Sequence, residues 1–164
     1  MLRLGSSLVA CLVICACAQA VAAQASTPRK VDEYGNICCD DEKARLDNFA
    51  AVLASEPDAR AYIIYYGGRR RNYPYCHSER VGLPKRGDAA ARVRKLKPFL
   101  ISTRGVDPAR ILVVNGGYRE HWTAELWVVP QGAAPPRPTP TVDPRKVRFR
   151  KGRVNRRDYA WDGC

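Results

Sequence analysis

Two kinds of apolar spacing alternate between Val31 and Pro130, and this alternation restricts the chain to a mixed helix–strand fold. Leu46, Phe49, Ala50 and Leu53 fall at i, i+3, i+4 and i+7, one face of a helix running from about Asp41 to Glu56. Asp40, Asp41 and Glu42 put negative charge at its start, where the helix dipole favours it, and Pro57 stops it. Ala61-Tyr62-Ile63-Ile64-Tyr65-Tyr66 is a continuous apolar run, β-branched and aromatic, that suits a central strand covered on both faces; Gly67-Gly68 ends it. Ahead of the first helix, Val31–Tyr34 is a short strand broken by Gly35-Asn36. A polar loop spans Arg69 to Gly87.

Ala89, Val93, Leu96 and Leu100 form the apolar stripe of a second helix from about Asp88 to Thr103. Asp88 suits its N-cap, and Gly105 suits the left-handed position past its last turn. Pro98 sits inside that pattern, where a proline costs about 3 kcal/mol, so a kink or an early break is expected near Lys97. Ile111–Val114 is the next strand, ended by Asn115-Gly116-Gly117, and Glu125–Val129 is the last, ended by Pro130. The result is an α+β two-layer sandwich of order β-α-β-α-β-β over residues 30–132. Residues 133–144 have the composition of an extended Pro-rich linker, and 145–164 form a basic tail. Within the tail, Val147-Arg148-Phe149-Arg150 alternates and could add an edge strand.

Residues 1–25 are expected to be an export signal. Arg3 is their only charge, Leu8–Cys17 is a short apolar core, and Ala23-Gln24-Ala25 is a small-residue exit. The apolar run is too short for a mature span, which needs roughly 20 residues, and no other segment could cross a membrane. Cleavage after Ala25 is one outcome. Lipidation of Cys17, in the loose lipobox Ile14-Cys15-Ala16-Cys17, is the other. Both place the chain in the periplasm or outside the cell.

Export changes the cysteine arithmetic. Cys11, Cys15 and Cys17 fall in the signal, leaving Cys38, Cys39, Cys76 and Cys164, an even number that favours two disulfides. A bridge between the adjacent Cys38 and Cys39 would close a strained ring. One of them is therefore expected to join Cys76 and the other Cys164. Zinc at Cys76-His77 competes with this reading, but the spacing fits no standard zinc box, and neither a metal nor a cofactor is expected.

Charge points to the class of partner. The formal net charge is +12, and from Arg137 to Cys164 nine Arg/Lys stand against three Asp. Such a surface attracts anionic polymers or lipid surfaces. Intracellular nucleic acid is an unexpected target for an exported chain. Catalysis is not expected. Both histidines lie in loops, no G-x-S-x-G motif is present, and a Cys76-His77 nucleophile would need a free thiol in an oxidising compartment.

The stretches VDEYGNICCDDEKARLDNFAAVLASEPDARAYIIYYGG and RVRKLKPFLISTRGVDPARILVVNGG resemble the two halves of an OmpA-like domain, in order and spacing more than in identity, over roughly residues 30–130. The resemblance implies non-covalent binding of peptidoglycan. In that family an Asp just after the second strand and an Arg near the start of the second helix grip the diaminopimelate of the peptide stem. Arg92, seven residues before Phe99, falls at the arginine position, where its fork suits a carboxylate. The aspartate does not carry over. Where the family has Gly-His-Thr-Asp, this chain has Gly67-Gly68-Arg69-Arg70, so Arg70 puts a base where an acid would meet the ammonium group. The family's arginine-rich signature before the last strand is also absent. Two readings stay open. Arg69, Arg70, Arg71 and Arg92 form an anion site beside Tyr73, Tyr75 and His77, or they are solvated arginines around a degenerate pocket. The tail, with Phe149, Tyr159 and Trp161 between its cations, offers a third route to a polyanion or a membrane surface.

Overall fold

The long apolar run does become the centre of a sheet. The computed structural model describes residues 27–72, 81–155 and 159. In chain order its elements are β1 (Arg29–Tyr34), α1 (Cys39–Ser55), β2 (Arg60–Gly68), β3 (Arg71–Asn72), β4 (Val81–Gly82), α2 (Asp88–Val93), α3 (Leu96–Ser102), β5 (Ile111–Arg119) and β6 (Thr123–Val129). The four long strands form one sheet in the order β1-β6-β2-β5, a mixed α/β architecture. β2 pairs antiparallel with β6 and parallel with β5, and β1 pairs antiparallel with β6. The parallel pair needs a crossover, which α2 and α3 supply. β3 and β4 form a small separate ladder inside the stretch read as a loop.

Leu46, Phe49 and Leu53 of α1, Val93 of α2, and Leu96 and Leu100 of α3 cover one face of the sheet, against Ala61, Ile63, Ile111, Leu126 and Val128. Burying each large aliphatic or aromatic side chain contributes about 1.5–3 kcal/mol. The alternate residues Ile64 and Tyr66 are fully buried as well. β2 is therefore covered on both faces, as its unbroken apolar run requires.

Four local expectations need correction. The second helix is two helices broken at Arg94-Lys95, upstream of the proline, so that Pro98 is the third residue of α3, where the missing N–H is one the helix leaves unused. Asp88 is not the N-cap. Gly87 is, at φ +88°, and the Asp88 carboxylate instead accepts the Lys85 N–H at 2.6 Å. Asn115-Gly116-Gly117 does not end its strand. The Asn115 side chain accepts the Gly117 N–H at 3.0 Å, Gly117 takes φ +92°, and the register against β2 slips between Tyr65 and Gly67. The extra residue is a bulge, and β5 continues to Arg119. A Cβ on Gly116 would intrude on the Tyr66 ring, which explains a glycine in mid-strand. Finally, Val147–Arg150 keeps its in–out alternation, with Val147 buried and Arg148 exposed, but joins no ladder.

Residues 133–144 are extended but held against the sheet. Thr139 donates its N–H to the Tyr66 hydroxyl at 3.0 Å, and the N–H groups of Thr141 and Val142 both reach the Tyr118 carbonyl at 3.0 Å. Tyr118 and Val142 make an isolated antiparallel bridge along the outer edge of β5. Proline-rich chain thus covers an edge that would otherwise expose unpaired backbone groups. Among the described residues no helix is long and apolar enough to cross a membrane.

Candidate functional site

The end of β2 places the first two arginines. Arg69 and Arg70 extend its pairing, their N–H groups donating to the carbonyls of Arg119 and Glu120 at 2.8 and 3.0 Å. Their guanidinium groups share one carboxylate, Glu120, at 2.8 and 3.0 Å. The hydrogen bond from Arg69 holds that carboxyl below its ordinary range.

Arg92 comes from α2 and is buried, at 8% exposure. It donates to the Asn36 side chain, and its guanidinium lies over the Trp122 ring, 4.2 Å from the centroid. Asn36 belongs to the turn after β1 and Trp122 to the hairpin between β5 and β6. Arg92 thus ties three parts of the fold together. The Arg71 side chain, Tyr73, Tyr75, His77, Cys76 and Cys164 lie outside what the structure describes, as do residues 1–26. Cys38 and Cys39 are both disulfide-bonded.

Arg70 and Arg92 line the same cavity, together with Asp88, Tyr118 and Trp122. Its free volume is about 50 Å³. That is room for a few waters. The tail closes it. Phe149 meets Tyr118 edge-on with centroids 6.2 Å apart, Arg86 stacks on Phe149 at 4.7 Å, and Tyr159 lines the cavity at 6% exposure. The Arg150 N–H donates to the Pro84 carbonyl at 2.9 Å and pins this cover.

A second cavity is an open groove of about 700 Å³, lined by Arg69, Arg70, Val81, Gly82, Leu83, Arg145, Lys146 and Arg148. Five of these eight residues are cations, from two distant parts of the chain. Among the described residues the acids paired with these cations are Glu120, shared by Arg69 and Arg70, and Asp143, paired with Arg145 at 2.9 Å. Among the described residues Lys146 and Arg148 have no ion-pair partner. A further depression along the tail carries Arg86, Arg150 and Lys151.

The sequence reading missed Glu42. It sits in the first turn of α1 with other acids, yet it is 2% exposed and pairs with Lys95 at 2.6 Å. Burial lowers the pKa of Lys95 despite that partner. Burial, then the Glu42 charge, raises the hydroxyl pKa of Tyr34. The signal was there: Glu42, Leu46, Phe49 and Leu53 lie on one helical stripe, so Glu42 had to face inward. No family model matches the chain, and no curated protein matches it.

Proposed function

We propose that this chain is an exported, non-catalytic binding module for an anionic cell-envelope component, built on a divergent OmpA-like domain. The element order and the position of Arg92 beside Arg70 support that ancestry. The observation that carries the functional reading is the open groove. Among the described residues five cations converge there against two carboxylates, and two of the cations, Lys146 and Arg148, are left unpaired. A groove of this kind takes a polyanion by charge, with an affinity that falls as salt rises. Peptidoglycan, which carries free carboxylates, is the partner the resemblance implies. In this reading it meets the groove and not the Arg92 pocket, which Phe149 and Tyr159 of the tail cover.

Co-sedimentation with purified peptidoglycan sacculi at low and high salt tests this. Binding should weaken with salt and drop in a Lys146→Ala/Arg148→Ala variant. Salt-resistant binding that is lost in Arg92→Ala but kept in the double variant would return the function to the pocket. The closed pocket favours a second reading, a structural or protein-interaction domain whose ligand site is degenerate. Absence of binding to any polyanion would leave that reading alone.

A further inference from the structure

The groove contains two side chains that charge does not explain. Val81 is 50% exposed and Leu83 45%, the two most exposed large aliphatics among the described residues. Both line the groove, with Arg69 and Arg70 from the end of β2 and Arg145, Lys146 and Arg148 from the tail. Covering a half-exposed valine and leucine is favourable, and the two give the groove an apolar strip among its cations.

The rest of the lining narrows the choice. Among the described residues no aromatic ring lines the groove. Single-stranded nucleic acid is held on aromatic stacking platforms, and a purely ionic polymer has nothing to offer aliphatic side chains. A partner that is anionic outside and apolar just beneath satisfies both parts of the lining. We propose that the groove docks on the surface of an anionic phospholipid bilayer. The cations meet the phosphates, and Val81 and Leu83 enter the boundary between head groups and acyl chains. The inference rests on the anion-binding reading above and names the source of the anion.

The test uses the purified protein, vesicles of phosphatidylcholine alone, vesicles with about one third phosphatidylglycerol, and a soluble polyanion, polyglutamate, in parallel. The expected result is binding to the phosphatidylglycerol vesicles and not to phosphatidylcholine alone. Leu83→Ser should weaken vesicle binding by about tenfold and leave polyglutamate binding unchanged. Lys146→Ala should weaken both, by about fivefold on vesicles. Val113→Ser, an aliphatic of 38% exposure that does not line the groove, should change neither. Binding to polyglutamate with no binding to anionic vesicles would overturn the membrane inference and leave the anion-binding reading in place. Equal vesicle binding by wild type and Leu83→Ser would do the same, because the aliphatics would then play no part. Binding to neither probe would overturn both.

Discussion

Removing one oxygen atom, by Tyr66→Phe, should loosen the Pro-rich segment from the sheet. The Tyr66 hydroxyl is buried between two elements distant in sequence. It donates to Glu125 Oε2 at 3.2 Å and accepts the Thr139 N–H at 3.0 Å. The ring itself stays sandwiched, with the Arg119 guanidinium 3.6 Å from its centroid. Phenylalanine keeps the ring and its burial, so no cavity opens and the change isolates the two hydrogen bonds. Glu125 retains Arg119 at 2.6 Å and the Trp127 N–H at 3.0 Å. Thr139 retains only its side-chain and carbonyl contacts with Arg119. The loss is therefore mostly one hydrogen bond from the N–H of Thr139, an exposed residue whose N–H water can reach, about 1 kcal/mol. Urea unfolding should show a lower midpoint at unchanged slope. Amide exchange at Thr139 should accelerate by about fivefold or more while the amides of β2 and β6 accelerate only by the global change. If Thr139 already exchanges at the unprotected rate in the wild type, or if stability changes by less than about 0.5 kcal/mol, the docking of residues 133–144 is not what holds them.

Glu125→Gln should flatten part of the acid limb of stability. Burial pushes this carboxyl up, but the Trp127 N–H and the Arg119 guanidinium outweigh it, so the folded value lies below the ordinary 4.5. The folded state then binds fewer protons than the unfolded chain, and the stabilisation is full above pH 4.5 and lost as pH falls through the folded value, a slope that denaturation at stepped pH should find in the wild type and not in the variant. Arg110→Met should cost about 2–3 kcal/mol in urea unfolding, because its guanidinium caps the end of α1 with hydrogen bonds of 2.8 Å to the carbonyls of Leu53, Glu56 and Ala59. Phe149→Ala should uncover Arg92, read as faster modification of that residue by phenylglyoxal, while modification of Arg110 stays slow; equal protection of Arg92 in both proteins would mean that the tail is not its cover.

How much of this was legible depends on whether a residue's partner is near in sequence. The limits of α1 and the two-sided burial of β2 follow from local spacing, and both were readable. The break in the second helix was readable too, since Pro98 lacks an N–H wherever it sits; only its placement two residues upstream needed the fold. Asn115-Gly116-Gly117 misled because the same residues serve a turn or a bulge, and the neighbouring strand decides which. Here the Tyr66 ring lies where a Cβ at Gly116 would be, and β2 draws β5 past the kink. The Pro-rich composition correctly gave an extended chain, but composition says nothing about docking, which rests on Tyr66, Tyr118 and Arg119, between 20 and 73 residues away along the chain. Of the candidate site, Arg69, Arg70 and Arg92 were readable as cations near one another. That Arg92 would be covered, and that Arg145, Lys146 and Arg148 would complete a groove with Arg69 and Arg70, depended on the path of the tail.

That path gives one short segment two opposite effects. Val147 and Phe149 point inward, and Phe149 helps to close the cavity over Arg92; Lys146 and Arg148 point outward and wall the groove. Arg70 lines both cavities. A base at that position repels the ammonium group of an amino-acid ligand approaching Arg92, and the same charge draws an anion into the groove. The base at Arg70 and the tail fold therefore work in one direction: each disfavours an amino-acid ligand at Arg92, and each adds to the basic groove. Because the two sites share these residues, they are coupled. A tail lifted off by Phe149→Ala would expose Arg92 and at the same time carry Lys146 and Arg148 away from Arg69 and Arg70, so a gain in access to the pocket should come with a loss of polyanion binding. Were the tail a solvated appendage, the two would vary independently.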